Sequence, residues 1–184
     1  MLKLSEEYSK EYKELKESIN VLFVATSFNR IEVYSNEYDD MPILEDLYGN
    51  PASNYTELEE KHIEYFNLIK NLIPYKTLYF NTIDPQYTDN KKDSTIGEYG
   101  YNGHHQALLS EILSINPEYN NYFDCVFITS AYYDMFNKKN IDIIDKILKM
   151  RGILITIYPN GLFELSNNYN NIYRNTKYNI FIKK

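Results

Sequence analysis

A chain of 184 residues with 43% hydrophobic content is long enough to bury a core as one domain (1–184), which excludes wholesale disorder. Its net charge of −7 and scattered lysines ("NKK" at 90–92, "NKKN" at 137–140, the terminal "IKK") argue against nucleic-acid binding by bulk electrostatics. A lone cysteine rules out an internal disulfide, no run of 18 apolar residues offers a membrane span, and the acidic, polar N-terminus does not read as a secretory signal; a soluble cytoplasmic protein is expected.

The flavour of the composition is unusual, with 20 Tyr, no Trp and much Asn, Ile and Lys. These residues have AT-rich codons, so an AT-rich genome explains the tyrosines before any stacking surface does.

In chain order, an N-terminal helical segment (1–19) comes first, with its helix over 5–18. Leu4, Tyr8, Tyr12, Leu15 and Ile19 recur on one face, and Ser5, Glu6 and Glu7 suit a helix start. "NVLFVATS" (20–27) is a continuous apolar run and predicts a strand buried on both faces. Residues 27–52 read as irregular, with "IEVYS" a short strand and "DDMPILEDLYGNP" turn-rich. Thr56 and Glu59 form a capping box ahead of a helix over 57–73, which Pro74 stops. "KTLYFNTI" (76–83) is the second strong strand and ends at Asp84-Pro85.

The segment 85–103 reads as a long mobile polar loop and "HHQALLSEILSI" (104–115) as a helix ending before Pro117. "YFDCVFITS" (122–130) is a third buried strand, "KKNIDIIDKILKM" (138–150) a helix and "RGILITIYP" (151–159) a fourth strand. The remainder reads as two strands, "LFEL" and "YNIFIKK", around an Asn-rich connection. Buried strands alternating with amphipathic helices predict an α/β fold, a three-layer sandwich with a mostly parallel sheet and an antiparallel C-terminal strand pair. In such folds ligands sit beyond the carboxyl ends of the strands. That selects Thr26 and Ser27, Asp84, Thr129 and Ser130, and the stretch from Tyr158 to Gly161.

The segments "FDCVFITSAYYDMF" (123–136) and "IDIIDKILKMRGILITIYPNG" (141–161) resemble the class I S-adenosylmethionine-dependent methyltransferases. That family commonly shows a strand opening with Phe-Asp, then a helix closing in a Leu-Lys-Pro-Gly-Gly-like turn, then an Ile/Leu/Val strand. Here the turn is "LKMRGILI", with Met150 and Arg151 in place of the Pro and the first Gly. The match covers residues 104–184 and implies a Rossmann-like fold with S-adenosylmethionine as cofactor. It also implies that Asp84, ending the second strand, takes ribose hydroxyls. Thr26, Ser27, Thr129 and Ser130 would line the cofactor site, and the segment after the third strand would supply Tyr133 and Asp134 to orient or deprotonate an acceptor. The first half departs from the family: "FVATSFNR" follows the first strand with no glycine before Gly49.

"DPQY" (84–87) is one residue away from the Asp-Pro-Pro-Tyr signature of amino-group methyltransferases acting on adenine, but Gln86 breaks it. Gly97, Gly100 and Gly103 match no phosphate-loop or dinucleotide fingerprint, and read as turns in a cover over the strand ends. His104 is a candidate general base, since imidazole titrates near neutrality. On a helix His104 and His105 would point about 100° apart, which disfavours a shared metal. His62, Asp124 and Cys125 read as structural.

Two functions are therefore expected to compete. One is a methyltransferase-like protein acting on a small-molecule or nucleoside ligand. The other is a degenerate Rossmann-like module, a possible pseudoenzyme, acting through a protein partner or a nucleotide.

Overall fold

The computed structural model describes residues 14–25, 34–36, 39–43, 55–85, 95–96, 99–129, 137–157 and 167–184. Ten strands are present among them: β1 (Lys16–Val24), β2 (Tyr34–Asn36), β3 (Asp39–Ile43), β4 (Tyr75–Ile83), β5 (Thr95–Ile96), β6 (Tyr99–His105), β7 (Phe123–Ile128), β8 (Leu148–Ile157), β9 (Tyr169–Arg174) and β10 (Tyr178–Lys183). The described helices are α1 (Tyr55–Leu72), α2 (Ile112–Ile115) between two 3₁₀ turns, and α3 (Lys138–Ile147). None is long and apolar enough to cross a membrane.

Eight strands form one sheet in the order β5-β6-β4-β1-β7-β8-β10-β9, and β2 with β3 forms a separate hairpin. The pairs β6–β4, β4–β1, β1–β7 and β7–β8 are parallel, whereas β10 runs antiparallel to both β8 and β9. The five parallel strands, numbered by appearance, stand in the order 3-2-1-4-5, which is the Rossmann arrangement, and the direction of winding reverses between β1 and β7. The α/β three-layer sandwich with its antiparallel C-terminal pair is as expected.

Strand alternation sends β1 side chains to two separate cores. Ile19, Val21 and Phe23 join the α1 face; Leu22 and Val24 join the α3 face. All six residues of β7 are buried, which is why "FDCVFI" reads as one apolar run. Helix α1 docks through an aromatic cluster. Phe66 lies 5.8 Å from Phe23 and 5.3 Å from Phe80, and Tyr65 lies 4.9 Å from Phe127. Each such side chain contributes about 1.5–3 kcal/mol on burial. Cys125 is buried, and burial pushes its thiol pKa up, so it is an inert core side chain.

Several sequence expectations are corrected. The N-terminal helix does not reach residue 18, because β1 begins at Lys16: the Lys16 N–H donates to Pro74 O at 2.9 Å and pairing with Tyr75 starts there. Leu15, assigned to the helix's apolar face, is 52% exposed; residues 1–13 lie outside the described residues. Residues 39–43 are strand β3 rather than an irregular turn. Helix α1 starts at Tyr55, so Thr56 lies inside it rather than capping it.

Most consequentially, 85–103 is not wholly a loop and 104–115 is not one helix: Tyr99–His105 is strand β6, parallel to β4, and helix resumes only around residues 109–115. The glycines explain why β6 does not read as a strand. A Cβ on Gly100 would sit 2.6 Å from Tyr79 Cδ1, and Gly103, at φ +128°, lies just past the register shift against β4. The α3 helix ends at Ile147 and β8 takes Leu148–Met150. At the C-terminus the Asn-rich segment itself forms β9, whereas "LFEL" lies outside the described residues.

Ala25, immediately after β1, adopts φ +62°. This is the left-handed conformation that glycine adopts freely, and it costs a non-glycine residue about 1–2 kcal/mol. Because Ala25 is also buried in the α3-face core, Ala25→Gly sets relief of this strain against a lost buried methyl and glycine's extra unfolded-state entropy, and is expected to change stability in urea melts by less than about 1 kcal/mol.

Candidate functional site

The carboxyl ends of the parallel strands meet at the reversal between β1 and β7. Ala25 N–H donates to Ile83 O at 2.9 Å, Thr129 N–H donates to Val24 O at 3.1 Å, and Asp84 N–H donates to His105 O at 3.2 Å. Ala25, Asp84, Thr129 and His105 therefore share one rim, across the ends of β6, β4, β1 and β7. Of the seven buried polar or charged residues described, six lie at this rim: Asn81, Thr82, Asp84, Thr129, Thr156 and Asn179. Only Asp124 lies at the opposite end. Burying polar groups is costly without partners, so their concentration at one edge makes that edge the polar one.

Of the residues selected from the sequence, Asp84, Thr129 and His104 are described. Thr26, Ser27, Ser130, Tyr133, Asp134 and the stretch 158–161 lie outside the described residues. Asp84 is 4% exposed at the end of β4, the strand next to β1. Thr129 Oγ1 donates to Val24 O and Ala25 O, each at 3.1 Å, so its hydroxyl proton closes the end of β1 and only its lone pairs can face a ligand.

His104 sits in a strand rather than at a helix start. Its Nδ1 is 2.7 Å from Thr82 Oγ1, which is 3.3 Å from Tyr101 Oη, making a chain that fixes the imidazole from inside the core. His105 points to the other face, as strand alternation requires, and meets Tyr119 Oη through Nε2 at 3.1 Å. Asn116 Nδ2 donates to its Nδ1 at 3.4 Å, so the neutral ring donates from Nε2 to Tyr119. Burial, then the charge of His104, lowers the His105 pKa against the opposing pull of Glu118; burial pushes Tyr119 up to about 12. The pair stays uncharged near neutrality and is structural. The histidines share no metal site, and no group of three metal-ligating residues occurs among the described residues.

Sequence reasoning missed Thr82, Tyr101, Thr156 and Asn179. The available signal was a polar residue interrupting an apolar strand near its carboxyl end, as in "YFNTI" and "ILITI".

The opposite edge of the sheet has its own cleft, of about 680 Å³, lined by Leu15, Lys16, Asp124, Lys149, Met150 and Arg151 among others. Asp124 opens β7 there and accepts from Lys16 Nζ and Lys149 Nζ at 2.8 Å each and from Asn20 N–H at 3.0 Å. Its carboxylate is saturated by structural partners, so it is a lock between β1, β7 and β8, consistent with the structural role expected for it.

No family model matches the chain, and no curated protein matches it in sequence. Among solved structures it is similar to the MycE methyltransferase of the mycinamycin biosynthetic pathway, solved in complex with Mg and SAH. The identity is 9% and the TM-score 0.44, over 90% of this chain and 41% of that one. The chain thus spans less than half of that protein's length, and the fold assignment rests on strand order and direction alone.

Proposed function

We propose that the chain binds a nucleoside ligand, S-adenosylmethionine foremost, across the carboxyl ends of β4, β1 and β7, and acts as a methyltransferase on an acceptor bound beside it. The observation that carries this reading is the buried Asp84 carboxylate at the end of the strand beside β1, one strand away from the winding reversal. A carboxylate there suits the two hydroxyls of a ribose, because it offers only hydrogen-bond acceptors. The left-handed φ of Ala25, the residue that follows β1, is compatible with a tight exit from the strand at this rim. S-adenosylmethionine supplies an electrophilic methyl group on a sulfonium. The protein's own contribution is to hold donor and acceptor in line, which can account for much of the rate enhancement. His104, braced by Thr82 and Tyr101, is the group assigned to orient the acceptor or receive its proton, with Tyr133 and Asp134 as further candidates.

A second reading has one observation in its favour. No glycine follows β1 before Gly49, as expected of a module that has lost the cofactor and works through a protein partner or another nucleotide.

Thermal shift with S-adenosylmethionine, its demethylated product, ATP and NAD separates the two. At a hundred times its dissociation constant a ligand adds about 2.7 kcal/mol, a rise of roughly 5–11 °C for a chain of this size. The first reading expects that rise with S-adenosylmethionine, and an affinity loss of roughly 10- to 150-fold in Asp84→Asn, as for a lost hydrogen bond to a charged group. No rise with any nucleoside would favour the partner-binding module, and an undiminished rise in Asp84→Asn would move the site elsewhere.

A further inference from the structure

Thr156 and Asn179 stand directly opposite each other in the antiparallel β8–β10 ladder, so their side chains share one face. It is the α3 face, which also carries Val126, Ile128 and Leu154. Both residues are closed from solvent, at 1% and 3% exposure, and Thr156 Oγ1 and Asn179 Oδ1 have no hydrogen-bond partner among the described residues. Their strands otherwise read "ILITI" and "YNIFI", where valine or leucine would pack without leaving polar atoms orphaned. Each orphan costs about 1–3 kcal/mol, and two adjacent ones in a native core call for a group that satisfies them.

Their position points to a ligand. Thr156 pairs with Ile128, the last residue of β7, so it stands one interstrand spacing, roughly 5 Å, from the strand that leads into Thr129. Asn179 reaches the same rim because β10 runs antiparallel, bringing its first residues to the carboxyl end of β8. Neither side chain carries a charge, so the pair itself offers no counter-ion to a charged ligand. The free atoms are a carbonyl acceptor and a hydroxyl that both gives and takes.

We infer that Thr156 and Asn179 form a second polar subsite on the α3 side of the rim, which takes a small neutral group bearing N–H or O–H donors, a primary amide being the best complement. The inference rests on the proposed nucleoside reading only for what lies next to the subsite, not for the subsite itself.

Acetamide and acetate make the decisive pair of probes, being nearly the same shape but differing in charge and donors. The readout is the Asn179 side-chain amide in a ¹H–¹⁵N spectrum, identified by its loss in Asn179→Leu. Acetamide is expected to produce a saturable shift of that signal; acetate is expected to produce none. Thr156→Val is expected to weaken the acetamide response at least several-fold and to raise the ligand-free melting temperature; Thr156→Ser should keep the acetamide response. The subsite is overturned if acetamide produces no saturable shift, which would mean the pair holds water alone, if acetate matches it, or if Thr156→Val leaves it undiminished. A chain that answers acetamide but not S-adenosylmethionine would sink the proposed function while keeping this subsite.

Discussion

Replacing Gly152 with alanine is expected to lower the melting temperature by roughly 6–12 °C, the equivalent of about 3 kcal/mol at this chain length. The new Cβ would lie 2.7 Å from the Lys149 carbonyl oxygen and 2.8 Å from Leu148 Cγ. The first is backbone and the second belongs to a fully buried side chain, so neither can step aside cheaply. Residues 149–152 are where β8 gains extra residues against β7: Leu148 pairs with Phe123, yet Ile153 already pairs with Cys125. Arg151 within this bulge sits at φ +64°, a left-handed non-glycine residue like Ala25 and Asn121. A melt of Gly152→Ala checks the claim, and Arg151→Gly in the same series should move the other way by about 0.5–1 kcal/mol.

Asp124→Ala is expected to cost about 2 kcal/mol in urea melts at neutral pH. Breaking a buried ion pair ordinarily costs more, but Lys16 and Lys149 are 42% and 38% exposed and can return to water once the carboxylate is gone. The pH dependence is the sharper test. Burial alone would raise the Asp124 pKa; the bonds from Lys149, Lys16 and the Asn20 amide outweigh it and hold the carboxyl below its usual range. Its stabilising contribution is then fully present above about pH 4, the unfolded value, and is lost as the pH falls through the lower folded value. Wild-type melts from pH 7 down to 3 should steepen in loss of stability below about pH 4, and Asp124→Asn should lack that part of the slope.

What the sequence made legible was governed by burial on both faces. Strands β1, β4, β7 and β8 lie inside the sheet and show up as continuous Val, Ile, Leu and Phe runs. Strand β6, by contrast, has only the two-residue β5 beyond it, and it mixes Tyr101 in the core with exposed Asn102 and two glycines. No periodicity marks it, so its histidines pass for a helix start. The same holds for β9, whose asparagines face out at 170 and 171.

The candidate site divides along similar lines. Asp84 and Thr129 follow from strand order alone, because any residue just past a parallel strand reaches the rim. Thr156 and Asn179 meet only through the antiparallel insertion of β10 between β8 and β9, a pairing between residues 23 positions apart that no local pattern encodes. Their juxtaposition is therefore readable from packing and not from motif.

The central claim is that the ligand edge is the carboxyl rim and not the cleft at the other end of the sheet. Titration of ¹⁵N-labelled protein with S-adenosylmethionine, followed by backbone amide shifts, tests it most directly. The largest saturable shifts are predicted at Ala25, Asp84 and Thr129, with the amides of Lys16, Asp124 and Lys149 unmoved. Shifts centred on those last three residues, or no shifts at all, would contradict the account.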